Sequence, residues 1–323
     1  MRDPRDLYAF ESSDVMAVVP RGELTLVHAL PGLADAGGAC RIASAYLRDQ
    51  LRHMRLVRFE TDELLDYRGS RPQASFDGTS FTSVDLAELS ISLMYDEADR
   101  PFLLLDGPEP DLQWRRLAQA VTDLVEFFEV KQVVGMQAVP MAVPHTRPIG
   151  LISHANDPDL LGPGDRPDPI AMQGTLAGAS TAAEISVPAS FGAFLEFELG
   201  RASLPALGYA AQIPHYLTRT DFPAGALALL RRVSAAAGLE LPLVDLGDLT
   251  EAAGTALEST LAQNAEVGQI VAALEEQYDA MRAEGAGLLG TTIDMPTADE
   301  IGDHFERFLA DHDADGREGP PRL

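Results

Sequence analysis

The residues with the most chemical potential are a glycine-rich turn, one cysteine and seven histidines. The turn reads Gly32-Leu33-Ala34-Asp35-Ala36-Gly37-Gly38. Backbone N–H groups at a turn that opens a helix can hold an anion. A phosphate loop needs GxxxxGK followed by Ser or Thr, and no lysine stands here. A dinucleotide fingerprint needs GxGxxG, which GLADAGG does not supply. Gly32, Asp35 and Gly37 therefore keep two readings: ligand contacts at a helix start, or a tight turn with close packing. No GxSxG stretch offers a serine nucleophile. Cys40 falls inside the helix that follows, where burial would leave its thiol inert.

The histidines are the best polar candidates. His145, His154 and His215 each stand near the end of an apolar run, and His28 lies within one. In a parallel α/β sheet the carboxyl ends of the strands line the ligand crevice. Three imidazoles there, with Asp35, would suit acid–base chemistry or ligand binding. Each also has a plainer reading as a hydrogen-bonded or surface imidazole. No HxxxH or HxH spacing supports zinc, so no metal or cofactor is expected. No residue is assigned a catalytic role. Asp35 and Asp106 are explained equally well by caps and turns.

The elements that must position these groups follow from periodicity. Residues 24–51 read as strand, glycine-rich turn and helix, the first half of a βαβ unit, which points to a parallel sheet. Residues 56–60 form a short strand. Residues 62–78, broken by Gly69, Pro72 and Gly78, predict a long surface loop. Residues 89–96 and 102–105 read as two strands that can pair antiparallel through a short turn. After Pro110, the stripe Trp114, Leu117, Ala118, Val121, Leu124, Val125 and Phe128 predicts a strong helix. Further strands are expected at 132–139, 150–154 and 203–213, with helices at 187–199 and 224–237. Residues 1–23 read as peripheral.

From about residue 245 glycine and proline thin out, and 248–282 read as helix throughout. Thr297 and Glu300 form a capping box for a last amphipathic helix over 296–312. The expected organisation is an α/β core domain over 1–247, a helical region over 248–312 and a disordered tail over 313–323.

Composition bounds the function. The 323 residues carry 24 Lys and Arg against 50 Asp and Glu, a net charge of -26. That balance opposes binding to nucleic acid or to an anionic membrane. No apolar run approaches the ~18 residues of a membrane span, and the N-terminal stretch lacks the apolar centre of a signal peptide. One cysteine permits no intrachain disulfide, which fits a cytoplasmic protein.

Several stretches together resemble one family. GLADAG at 32–37 resembles the GWNDAG element after the first core strand of the proteasome assembly chaperone (PAC2) family, in its actinobacterial branch. The block from 134 to 161 around PHTRP, the segment from 211 to 243 around IPHYL, LEEQYDAMR at 274–282 and PTADEIGDHFERFLAD at 296–311 are similar to that family's later segments. The likeness runs over most of residues 20–312. Leu33 and Ala34 replace the element's tryptophan and asparagine, so roles resting on those side chains do not carry over.

The resemblance implies a three-layer α/β core like that of purine nucleoside phosphorylases, with a helical C-terminal extension. It implies a non-enzymatic interaction or assembly protein acting as a homo-oligomer, a dimer or a trimer, since eukaryotic members pair and escort proteasome α subunits. The partner itself stays open. The alternative is an enzyme or small-molecule binder of the phosphorylase or hydrolase kind, working through the crevice and its histidines.

Overall fold

A strand buried on both faces needs apolar side chains at every position, and residues 25–29 supply them with two exceptions, Thr25 and His28. The computed structural model describes residues 2–12, 19–162, 165, 186–261 and 265–284. In chain order its strands are β1 Tyr8–Phe10, β2 Thr25–Ala29, β3 His53–Phe59, β4 Gln73–Phe76, β5 Phe81–Asp85, β6 Ser90–Tyr95, β7 Pro101–Asp106, β8 Gln132–Met141, β9 Leu151–Ala155 and β10 Ala206–Pro214. The helices are α1 Ala39–Gln50, α2 Trp114–Phe127, α3 Phe191–Arg201, α4 Pro223–Ala237, α5 Val244–Leu261 and α6 Ala265–Glu284.

Among the described residues, eight strands form one sheet in the order β1-β3-β6-β7-β2-β8-β10-β9. Its centre, β7-β2-β8-β10, is parallel. β6, β9 and β1 run antiparallel to their neighbours. All five residues of β2 are buried. Leu26 packs with α2 and α3 on one face, and Val27 and Ala29 pack with α1 and α4 on the other. This is the two-sided burial that parallel strands require. The result is a mixed α/β fold with helices on both faces of a large sheet.

The helices take their sides from their stripes. On α2, Leu117, Val121, Leu124 and Val125 are buried, and Trp114 stacks edge-on against Phe191 of α3. α4 packs against both α1 and the sheet at Gly225. A Cβ there would stand 2.6 Å from Ile213 Cδ1 and 3.1 Å from Ala39 Cβ. α5 and α6 continue that layer, burying Leu246, Leu261, Val271 and Leu274 in the same core.

Three features differ from the sequence expectation. Residues 62–78 are not one loop: β4 and β5 pair as an exposed antiparallel hairpin. The peripheral N-terminus adds strand β1 to the sheet edge and buries Leu7 completely. The helix expected from residue 248 begins earlier, at Val244. The helix expected over 296–312 and the tail over 313–323 lie outside the described residues.

Candidate functional site

The parallel strands β2, β7, β8 and β10 all end at one edge of the sheet, so the segments that follow them converge there. The turn after β2 is stitched to the neighbouring strand: the N–H of Ala138 in β8 donates to Ala34 O at 2.8 Å. Gly37 lies in the left-handed region at φ 64°, and its N–H donates to Thr218 O at 2.8 Å. A Cβ on Gly37 would stand 3.0 Å from Phe222 Cβ and 3.2 Å from Ile213 Cγ2. Both the backbone angle and the space therefore call for glycine.

Asp35 closes this turn. Its Oδ1 accepts from the Cys40 N–H at 2.6 Å, satisfying a backbone donor at the start of α1. Burial raises the carboxyl's pKa against the opposing pull of that hydrogen bond. Cys40 is fully buried, and burial together with the Asp35 carboxylate raises its thiol pKa further. Both conditions suppress thiolate reactivity.

Gly32 answers to a residue outside the sequence candidates, Glu109 in the loop after β7. Glu109 Oε2 accepts from the Leu33 N–H at 2.7 Å, and Oε1 accepts from the Phe191 N–H at 2.5 Å. One carboxylate thus joins the turn after β2 to the first residue of α3. A Cβ on Gly32 would fall 2.1 Å from Glu109 Oε2. The available signal was an acidic residue just past a buried strand, in Asp106-Gly-Pro-Glu109.

Beside this junction opens a cleft of about 590 Å³, lined by Pro31, Leu33, Tyr67, Arg71, Glu109 and Trp114 among others. Four of its polar side chains, Tyr67, Glu109, Asp111 and Trp114, are engaged within the chain. Trp114 Nε1 donates to Pro110 O at 2.6 Å, and the Tyr67 hydroxyl donates to Asp62 Oδ1 at 2.5 Å. Leu33, at the rim, is 61% exposed.

The three candidate histidines divide into two groups. His145, after β8, and His215, after β10, both face Tyr216. The His145 backbone N–H donates to Tyr216 Oη at 2.9 Å, and its Nδ1 lies 2.8 Å from the same oxygen. His215 Nδ1 donates to Met141 O at 3.3 Å, and its ring meets Tyr216 edge-on. Burial lowers the pKa of both imidazoles, against an opposing pull on His145 from Glu258 and Glu275 and on His215 from its bond to Met141 O. Each is therefore neutral at pH 7.

His154 is elsewhere. It sits in β9 opposite Gly208, on the face covered by α3, with Nδ1 2.8 Å from Glu196 Oε2. The strand registers run His28, Gly135, Gly208, His154 across four neighbouring strands. Each imidazole lies over a glycine. A Cβ on Gly135 would be 2.6 Å from His28 Nε2, and one on Gly208 would be 2.4 Å from His154 Cε1. Burial, with His154 nearby, pushes the pKa of His28 down to about 4. Gly208 and His215 are seven residues apart on one extended segment, roughly 23 Å at the usual strand rise. His154 therefore cannot share a site with His145 and His215.

The stretches at this edge also clasp one another. Arg147 holds Asp279 of α6 through two hydrogen bonds of 2.9 and 2.6 Å. PHTRP thus binds the LEEQYD helix, His145 binds the tyrosine of IPHYL, and Gly37 packs on Phe222. Among the described residues no group of three His, Cys, Asp or Glu side chains is arranged to hold a metal ion. No described helix is long and apolar enough to cross a membrane.

Comparison with known proteins reaches the same stretches. The model of the PAC2 family matches residues 29–264. The crystal structure of the Mycobacterium tuberculosis protein of unknown function Rv2714 is similar, with 38% identity and a TM-score of 0.75 over 94% of this chain and 96% of that one. A protein of unknown function from Corynebacterium glutamicum gives 34% identity and a TM-score of 0.75 over 86% and 99%. The M. tuberculosis proteasome-assembly chaperone homologue Rv2125 gives 26% and 0.64 over 77% and 100%. No curated protein matches the chain in sequence.

Proposed function

This chain belongs to the PAC2 family, and from that premise we propose that it is a non-enzymatic interaction protein with an assembly-chaperone-like role, acting in the cytoplasm as a homo-oligomer, a dimer or a trimer. The observation that carries the reading is where the polar side chains at the strand-end edge are directed. Asp35 caps α1, Glu109 bridges two backbone amides, His145 and His215 hold Tyr216 and Met141, and Arg147 clamps α6. These are the groups a catalytic crevice would aim at substrate, and here each makes at least one hydrogen bond within the chain, although Nε2 of both His145 and His215 is buried without a partner. This edge also offers outward Leu33, 61% exposed beside the cleft.

In this reading Gly32, Asp35 and Gly37 build a contact loop, and His145 and His215 support it from behind. His154 belongs to the packing of α3. The partner is a protein, and proteasome subunits are the first class to test, given the name Rv2125 carries. Kinship of the layered core with purine nucleoside phosphorylases and the treatment of residues from 248 onward as a helical unit belong to the same proposal.

Affinity capture of the tagged full-length chain tests it, with wild type and Leu33→Asp compared and both proteins and small molecules identified by mass spectrometry. The expected result is one protein recovered reproducibly with wild type and lost with L33D. A clean protein background with a nucleoside or other metabolite bound in near-equal amount would overturn the reading.

A further inference from the structure

Alternate side chains of a strand share one face, and this sets the base of the β4–β5 hairpin against the cleft beside Leu33. Gln73 and Asp85 pair across the two strands, and Arg71 and Ala87 continue the same alternation on either side. All four line the cleft of about 590 Å³. One face of the hairpin base is therefore one wall. The turn after β2, the loop after β7 and Trp114 at the start of α2 make the other.

The polar groups on the body side are already taken. Glu109 has both oxygens on backbone amides, and Trp114 Nε1 and the Tyr67 hydroxyl donate within the chain. Asp111 Oδ2 accepts the Asp66 N–H at 2.7 Å. A small molecule is recognised by a few convergent polar groups. This wall offers apolar surface in their place, from Pro31, Pro108, Pro110 and Trp114, with Leu33 standing out at the rim.

The charges of the lining point one way. Asp85, Glu109 and Asp111 set three carboxylates against one guanidinium, Arg71. Asp85 is exposed and, among the described residues, its side chain makes no hydrogen bond or ion pair. The same holds for Arg71. The net charge of -26 on the whole chain adds to the negative potential around the cleft.

We propose that this cleft receives a short segment of a partner protein in which one lysine or arginine stands next to an apolar residue. The proposal rests on the protein-interaction reading above and names the partner's chemistry. Asp85 pairs with the basic group, and Leu33 and Trp114 pack on its apolar neighbour. Arg71 donates to the segment's backbone carbonyls and repels a second cation, so a single basic residue fits better than a basic run. The volume is that of a small-ligand pocket, ~300–1,000 Å³, so it holds a few side chains rather than a folded surface. The acidic lining also speeds the encounter with a basic segment.

Selection from a phage-displayed library of random dodecapeptides on the full-length chain tests the proposal. Enriched peptides are expected to carry one Lys or Arg beside Leu, Ile, Phe or Pro. A synthetic enriched peptide, followed by fluorescence anisotropy, should bind Asp85→Lys about tenfold or more weakly than wild type. Its binding to wild type should weaken in high salt, and Leu33→Asp should weaken it too. Exchanging the peptide's basic residue for glutamate should restore binding to D85K. Asp85 is exposed, so the variant should keep the wild-type circular dichroism spectrum. No enrichment, or enriched peptides without a basic residue, would overturn the proposal. A peptide that binds wild type and D85K equally would also overturn it. Capture from cytosol separates this proposal from the reading beneath it. A partner protein that is lost with L33D and indifferent to D85K would leave the interaction reading standing and remove this one. A clean protein background with wild type, together with no enriched peptide, would remove both.

Discussion

The carboxylate of Glu109 occupies the space that a side chain on Gly32 would need and accepts the backbone N–H of Leu33 at 2.7 Å. Its other oxygen takes the Phe191 N–H at the start of α3. A single acidic residue after β7 therefore fixes the turn after β2 and a helix on the far side of the chain sequence. Hydrogen bonds to a charged acceptor are the stronger kind.

Glu109→Ala should consequently cost about 2–3 kcal/mol, because two amides lose their acceptor. Glu109→Gln, which keeps one good acceptor, should lose less. Urea unfolding followed by circular dichroism measures both. Equal stability of all three proteins would remove Glu109 from this bridging role.

Gly37→Val should destabilise more than a surface substitution. The new side chain must adopt a left-handed backbone and press on Phe222 and Ile213. The expected loss is about 3 kcal/mol, read as a lower melting temperature. A melting curve that overlays wild type would show that the turn relaxes without strain.

His28 gives a pH signature. Its pKa is about 4 in the folded chain against 6.5 when solvated. The unfolded chain therefore binds the extra proton first as pH falls. Stability from this group is fully present above pH 6.5 and declines toward pH 4, by roughly 1.4 kcal/mol at one unit below the solvated value. His145 and His215, lowered in the same direction, add to the trend. Chemical unfolding at pH 7.5 and 5.5 should show this loss, and His28→Gln should flatten its share. An unchanged slope in the variant would mean that His28 takes up its proton without unfolding.

Leu274→Ala tests whether α6 is part of the core. Leu274 is buried in the cluster that also holds Val27 and Leu230. Truncating a buried leucine costs about 2–5 kcal/mol. A denaturation midpoint identical to wild type would make α6 a passive appendage.

Local chemistry decided much of this molecule. The run from Leu24 to Leu30, the break at Pro31-Gly32 and the stripe from Trp114 to Phe128 each announce their element, because periodicity and turn chemistry act within a few residues. The resemblance of GLADAG, PHTRP and IPHYL to one family was likewise carried by short, ordered stretches. The hairpin was less legible, since its strands are short and half polar. The Asp77-Gly78 turn between Phe76 and Phe81 was its one clear signal.

Tertiary structure decided the rest. Glu109 reaches partners 76 and 82 residues away, distances over which no spacing rule operates. His154 looked equivalent to His145 and His215, since each stands near the end of an apolar run. Because β9 runs antiparallel to β10, its last residues return toward the start of β10, and His154 faces Gly208 rather than the strand-end edge. The residue types were fixed by the chain. Which of them meet was fixed by strand direction and by the order of strands in the sheet.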